Sequence, residues 1–246
     1  MIPKVIHYCW FGGNPLPADV KACIKSWKKH CPDYEIRRWD ESNYDISKHP
    51  FIQKAAESKR WAFVSDFARL DIVLNHGGIY LDTDVELIRS LDPLLEHKAY
   101  FGFQMKDYLI NTGLGFGAEA GHPAVQAMLD QYKDLAYSDE NRDQIACPIL
   151  NTDALFPEGI HCIPAVPLEV VSPTDCAMEY SAWVYPPSFF DTYPSGVTAN
   201  LICGDTFSIH HYSATWTSGK QRWKRSLARV IGEGNIVALK ELLRRK

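Results

Sequence analysis

The stretch Ser65-Asp-Phe-Ala-Arg-Leu-Asp-Ile-Val-Leu-Asn-His-Gly-Gly-Ile-Tyr-Leu-Asp-Thr-Asp-Val85 decides the fold. Phe67, Leu70, Val73 and Leu74 recur at helical spacing, so 65–75 reads as a helix that Gly77-Gly78 closes. Ile79-Tyr80-Leu81 then reads as a buried strand running into Asp82-Thr83-Asp84. On extended backbone, residues two apart point to the same side, so both carboxylates leave the strand together at its C-terminal end. In open α/β sheets that end is where ligands bind. Two close carboxylates repel unless a proton or cation lies between them, and a hard divalent ion such as Mn or Mg suits that role. The three-residue motif alone is weak. With 18 Asp in 246 residues, roughly one Asp-x-Asp arises by chance. A solvated turn with two surface acids is the plain alternative.

Asp66 and Arg69 stand three apart, on a helix face distinct from the apolar stripe. They are either a surface ion pair of less than about 1 kcal/mol or part of a ligand site.

Outward from this stretch, the rest of the chain reads as α/β. Residues 4–11 form a strand that stops at Gly12-Gly13-Asn14-Pro15, 18–30 a helix that Cys31-Pro32 ends, and 34–39 a second strand. This opening implies parallel strand order. Further strands are expected at 98–104, 114–118 and 207–212, with a helix over 122–137. The Pro- and Gly-rich stretch 147–200 is expected to form long loops that shape an acceptor cleft.

Composition is that of an ordinary globular chain, with 46% hydrophobic and 23% charged residues. A net charge of -4 argues against general nucleic-acid binding. Residues 220–246 differ, carrying nine Lys or Arg against Glu233 and Glu241. The seven cysteines are odd in number and widely spaced, which favours reduced thiols in a cytoplasmic protein. No signal peptide and no membrane-spanning run is found.

The run from Ser65 to Val85 resembles the DxD sugar-binding region of glycosyltransferase family 32. That family includes capsular polysaccharide and lipopolysaccharide transferases, a yeast initiating mannosyltransferase and, distantly, the clostridial glucosylating toxins. Ile2-Pro3-Lys4-Val5-Ile6-His7-Tyr8-Cys9-Trp10-Phe11-Gly12 is similar to the family's first strand, and Ile209-His210-His211-Tyr212-Ser213-Ala214-Thr215-Trp216 to its closing motif. The resemblance implies a GT-A type, Rossmann-like α/β domain over 1–219 with a mostly parallel central sheet, followed by a helical C-terminal tail over 220–246. It also implies a metal-dependent, retaining transferase. Such an enzyme moves a sugar from a nucleotide-sugar donor to a carbohydrate or lipid-linked glycan, in surface polysaccharide synthesis.

Site roles follow from the same resemblance. Trp10 would stack on the base, which favours a UDP-sugar over GDP-mannose as donor. Asp66 and Arg69 would bind donor hydroxyls and phosphate, a chemistry that carboxylate and guanidinium suit. Tyr80 would contact ribose or sugar, Asp82 the ribose side and the metal, and Asp84 the metal. Asn111 would touch the donor sugar and Trp216 the diphosphate. His211, five residues before Trp216, matches the position of a third metal ligand. A histidine there tilts the choice toward Mn over Mg. Neighbours on a strand face opposite ways, so His210 remains the alternative. Ala214 departs from the toxin branch, which has a Ser at that place.

Two other readings compete. Ile79 to Val85 also fits a haloacid-dehalogenase-like phosphatase with Asp82 as nucleophile, for which Asp205 is the only candidate for the second acidic group. A catalytically silent carbohydrate-binding relative is the other. Leu227, Val230 and Ile231, then Ile236, Leu239, Leu242 and Leu243, interleave with cations in the tail, so the tail either docks on an anionic membrane or packs on the body.

Overall fold

A computed structural model describes residues 1–156, 174–177, 181–192 and 201–213. Trp216 and the basic tail lie outside the described residues, as does the domain boundary at 219.

The chain opens as expected. Strand β1 (Val5–Cys9) is followed by helix α1 (Ala18–His30) and strand β2 (Glu35–Trp39), and β1 and β2 pair in parallel. A short helix α2 (Pro50–Glu57) leads into the long α3 (Trp61–His76). Then come β3 (Gly78–Tyr80), β4 (Val85–Leu87), β5 (Ala99–Gly102) and β6 (Phe116–Ala118). Helices α4 (Pro123–Asp130) and α5 (Cys147–Leu155) precede β7 (Thr174–Ala177), β8 (Ala182–Tyr185), α6 (Pro187–Phe190) and β9 (Ser208–His210).

Seven strands form one sheet in the order β2-β1-β3-β6-β5-β8-β7. Only β6 and β7 run against the others, so five of the seven share a direction and the sheet is mostly parallel. The remaining strands, β4 and β9, pair with each other as an antiparallel ribbon. One apolar cluster lies under α2–α5, with Phe51, Phe67, Leu70, Phe101 and Phe116 at its centre. A second, on the opposite side, gathers Trp27, Ile79, Leu81, Val85, Tyr100 and Phe190.

Two expectations are corrected. The stretch 147–200 is not all loop: α5, β8 and α6 are built from it. Pro148 and Pro187 each sit in a first helical turn, where the missing N–H costs nothing, and so they start helices rather than break them. The 122–137 helix ends at Asp130, after which three-residue turns carry Tyr132 and Tyr137 edge-on to Phe51, at 4.9 and 5.9 Å. Helix α2, with His49 capping its Phe51 amide, was not read from the sequence.

The corner between α3 and β3 sets the register of everything downstream. Gly77 and Gly78 both have positive φ (64° and 101°). Their backbone is held by His7 of β1, which is fully buried. The Trp39 indole donates to His7 Nδ1 at 3.0 Å, leaving Nε2–H to donate to the Gly77 carbonyl at 2.9 Å. Burial holds the His7 pKa down to about 4, so the ring stays neutral in this role. A side chain at Gly78 would meet the Val5 carbonyl at 2.8 Å and His7 Nε2 at 2.9 Å. Gly78→Ala is therefore expected to destabilise the fold by about 2 kcal/mol, from left-handed strain plus backbone collision. Gly204→Ala, with open space around it, should leave the thermal midpoint unchanged. Equal midpoints for the two variants would contradict this reading of the corner.

Candidate active site

Strands β1 and β3 end side by side, since His7 pairs with Tyr80 and the Leu81 amide donates to His7 O at 3.1 Å. Asp82 lies just past the end of β3, and Asp84 just before β4. The turn between them, closed by Val85 N donating to Asp82 O at 3.0 Å, points both carboxylates into one region.

Arg69 reaches this region from the middle of α3. Its side chain is only 4% exposed, and a single nitrogen, Nη2, lies 2.9 Å from Asp66 and 3.1 Å from Asp82. Its Nε donates to the Ser65 carbonyl at 3.2 Å, and the guanidinium carbon stands 5.0 Å from the centre of the Tyr80 ring. The Tyr80 hydroxyl donates to Asp82 at 3.0 Å. Burial works against the Arg69 charge, but Asp82, Tyr80 and Asp66 outweigh it and keep the group protonated. The surface-pair alternative fails on burial: this cation is enclosed, and removing either carboxylate would leave its charge uncompensated.

The other carboxylate is held differently. Asp84 Oδ1 lies 3.2 Å from His210 Nε2, and its Oδ2 accepts from the Ser213 amide at 2.7 Å. Burial opposes ionisation of Asp84, yet His210 and the Ser213 N–H prevail and hold its pKa low. Asp82 is pushed the other way, by burial first and by the charge of Asp84, with Arg69 resisting. Burial likewise disfavours a charge on His210, and Asp84, Asp82 and Asp191 reverse that.

Of the two adjacent histidines, His210 stands beside the aspartates and His211 beside Glu86. Alternation on β9 turns Ser208 and His210 inward and Ile209 outward, so His211 faces away from the two aspartates and sits 2.9 Å from Glu86. One ligand atom from each of Asp82, Asp84 and His210 lies within 4.8 Å of the others. Two carboxylates and an imidazole converging in this way fit a divalent cation such as Mn or Mg. A groove of about 280 Å³ opens beside Asp84, lined by Asp19, Cys23, Glu86, His211 and Ser213.

Other expected residues are placed less directly. Asn111 caps a 3-10 turn, accepting from the Gly113 amide at 2.8 Å and donating to Gln104 at 2.9 Å, so both ends of its side chain are used within its own loop. Trp10 is half-buried just past β1, and its indole N–H donates to the Asn14 carbonyl at 2.7 Å. Asp205, which the phosphatase reading needs, is exposed ahead of β9.

Sequence reasoning missed three neighbours. Gly113 packs so closely that a Cβ there would come within 2.6 Å of Asp82 Oδ2 and 3.2 Å of Arg69 Nη1. Cys147 opens α5 with its sulfur 3.9 Å from Arg69 Nη1, and burial raises its pKa so far that it stays a neutral thiol. Asp71, two residues past Arg69, accepts from Tyr44 at 2.9 Å and pairs with Lys48, which ties the segment before α2 to α3. A second carboxylate-bearing turn of α3 was the available signal for Asp71. Gly113 and Cys147 left no local signal.

Burial, partly offset by Arg69, raises the Asp66 pKa to about 6, above the value near 3.9 of an unfolded chain. The folded state thus holds the proton more tightly between those two values, and stability falls as pH rises through them. In metal-free buffer, the stability of Asp66→Asn relative to the parent is expected to shift in the variant's favour by about 1–3 kcal/mol between pH 4 and pH 8, whatever the fixed cost of losing the Arg69 pairing. A difference that stays constant, or moves in the parent's favour, over that range would contradict this balance of burial over pairing.

The comparisons with known proteins agree with the geometry. The family described as "Glycosyltransferase sugar-binding region containing DXD motif" matches residues 17–101. Inositol phosphoceramide mannosyltransferase 3 of Schizosaccharomyces pombe is 35% identical over 126 residues, which cover 50% of this chain and 35% of that protein. A glycosyltransferase of Acanthamoeba polyphaga mimivirus is 29% identical over 134 residues, covering 50% of this chain and 52% of its own. The chain thus spans between about a third and a half of the length of these curated relatives. Among solved structures, the PaToxG glycosyltransferase superposes with a TM-score of 0.50 at 18% identity, over 64% of this chain and 69% of that one, a likeness of fold. Residues 17–101 are thus similar to the DXD-containing sugar-binding region of glycosyltransferases, and the fold is of the GT-A type.

Proposed function

We propose that the chain transfers a sugar from a nucleoside diphosphate donor to a hydroxyl of a glycan or glycolipid acceptor, using a divalent metal. The observation that carries this reading is the convergence of Asp82, Asp84 and His210 beside the enclosed Arg69.

In this account Asp82, Asp84 and His210 hold the cation. A bound Mn or Mg supplies Lewis-acid stabilisation of the charge that builds on a departing diphosphate. Arg69 is a fixed cation aimed at the same developing charge, and its confinement between Asp66 and Asp82 means little reorganisation as the bond breaks. Asp66 accepts from donor hydroxyls, and Tyr80 keeps Asp82 oriented through the 3.0 Å hydrogen bond. Transfer proceeds with retention of configuration, as the family resemblance implies. Trp10 lies half-buried just past the end of β1, where its ring would stack on the base of a UDP-sugar donor.

A second donor reading has its own support. The S. pombe relative is named a mannosyltransferase acting on inositol phosphoceramide, and that name favours a mannosyl donor with a lipid-borne acceptor. No helix among the described residues is long and apolar enough to cross a membrane. The proposed contact of the 220–246 tail with an anionic membrane, and the role in surface polysaccharide synthesis, rest on the sequence alone.

Donor hydrolysis needs no acceptor, so it tests the reading with few assumptions. With Mn present, one of UDP-glucose, UDP-galactose, a UDP-N-acetylhexosamine or GDP-mannose should be hydrolysed. EDTA should abolish the reaction and Mn should restore it at least as well as Mg. Asp84→Asn should lower the rate by about 10²-fold or more while the protein stays folded. Full turnover in EDTA would remove the metal from the mechanism.

A further inference from the structure

We infer that Asp191 is a positioning residue for the metal ligand His210 and acts on it through Tyr212. The inference rests on the reading of Asp82, Asp84 and His210 as metal ligands.

A histidine that binds metal through one ring nitrogen is ordinarily oriented by a hydrogen bond on the other. His210 turns Nε2 toward Asp84, and its Nδ1 is buried with no hydrogen-bond partner among the described residues. What fixes the ring is packing. Tyr212 lies edge-on to it, with ring centroids 4.0 Å apart and planes at 72°. Tyr212 reaches that place through a left-handed backbone (φ 47°), a conformation that costs a tyrosine about 1–3 kcal/mol and needs something to hold it.

Asp191 holds it. The Tyr212 hydroxyl donates to Asp191 Oδ1 at 2.8 Å, and the Met105 amide donates to Oδ2 at 2.7 Å. Asp191 is itself 1% exposed and stands at the end of α6, where its amide donates to the Pro187 carbonyl at 2.7 Å. Helix α6 is stitched to the entry of β9 in turn: Phe207 N donates to Phe189 O at 2.9 Å, the Thr206 hydroxyl donates to Ser188 O at 2.8 Å, and Phe190 stacks on Phe207. The carboxylate therefore rests on a rigid base and braces the tyrosine that braces the histidine. Its second oxygen holds the start of the 104–109 turn, whose Gln104 accepts from Asn111, so one carboxylate joins the metal side of the site to the loop on its other side.

The test is titration of the full chain with Mn²⁺ alone, read by loss of the free-ion signal in electron paramagnetic resonance, with thermal midpoints recorded in parallel. Tyr212→Phe keeps the ring and removes one hydrogen bond. It should weaken Mn²⁺ binding by about tenfold while the protein stays folded. Asp191→Ala should weaken binding at least as much. Asp191→Asn should stay within about threefold of the parent, because an amide can accept from Met105 N–H and donate to the Tyr212 oxygen, which is the rescue a purely ionic role would not give. Mn²⁺ affinity of Tyr212→Phe equal to the parent's would overturn the inference, and so would an Asp191→Asn loss as large as that of Asp191→Ala. Either result would leave the metal set standing if Asp84→Asn abolishes binding. A parent chain that binds no Mn²⁺ would instead bring down the metal set, and this inference with it.

Discussion

A guanidinium enclosed in the protein interior is the constraint around which the site is organised. Arg69 is kept charged by Asp66 on its own helix and by Asp82 beyond the end of β3. An enclosed cation is tolerated only when its partners are close and well placed, so α3 and β3 have one acceptable relative position. The corner that supplies it is equally constrained: Gly77 and Gly78 adopt left-handed angles, and neutral His7 grips the carbonyl between them. Helix, corner, strand and acidic turn thus act as one unit.

The second half of the site comes from far along the chain. Asp84 runs directly into β4, and β4 pairs with β9, so His210 arrives opposite Val85 and within reach of Asp84. Helix α1 supports this ribbon from behind, through the Trp27 indole donating to Val85 O at 2.7 Å and Leu87 N donating to the Ser26 hydroxyl at 2.9 Å. The two aspartates of the motif therefore have different jobs. Asp82 balances Arg69, and Asp84 is tied to the ribbon that closes the site.

Much of this was legible from residues 65–85 because local patterns there agree with the tertiary result. The apolar stripe, the glycine pair and the acidic turn each have a short-range signature, and the observed α3, β3 and Gly77 cap follow them. The choice between His210 and His211 was not legible, since strand alternation gives opposite faces but not which face is inward. That is decided by pairing with β4. The stretch 147–200 misled for a related reason: proline counts as a breaker in sequence, and at a first helical turn it is an initiator. Gly113, Cys147 and Asp191 act only through contacts between segments distant in sequence, and no local pattern announces such contacts.

The arrangement of Asp82, Asp84 and His210 is the claim on which the rest turns, and anomalous diffraction from crystals grown with Mn²⁺ and a nucleoside diphosphate tests it most directly. The account predicts one anomalous peak at the convergence of Asp82, Asp84 and His210, with the diphosphate bound beside it near Arg69. A peak held instead by Glu86 and His211 in the neighbouring groove would contradict it, as would a diphosphate bound near Arg69 with no metal at the aspartates.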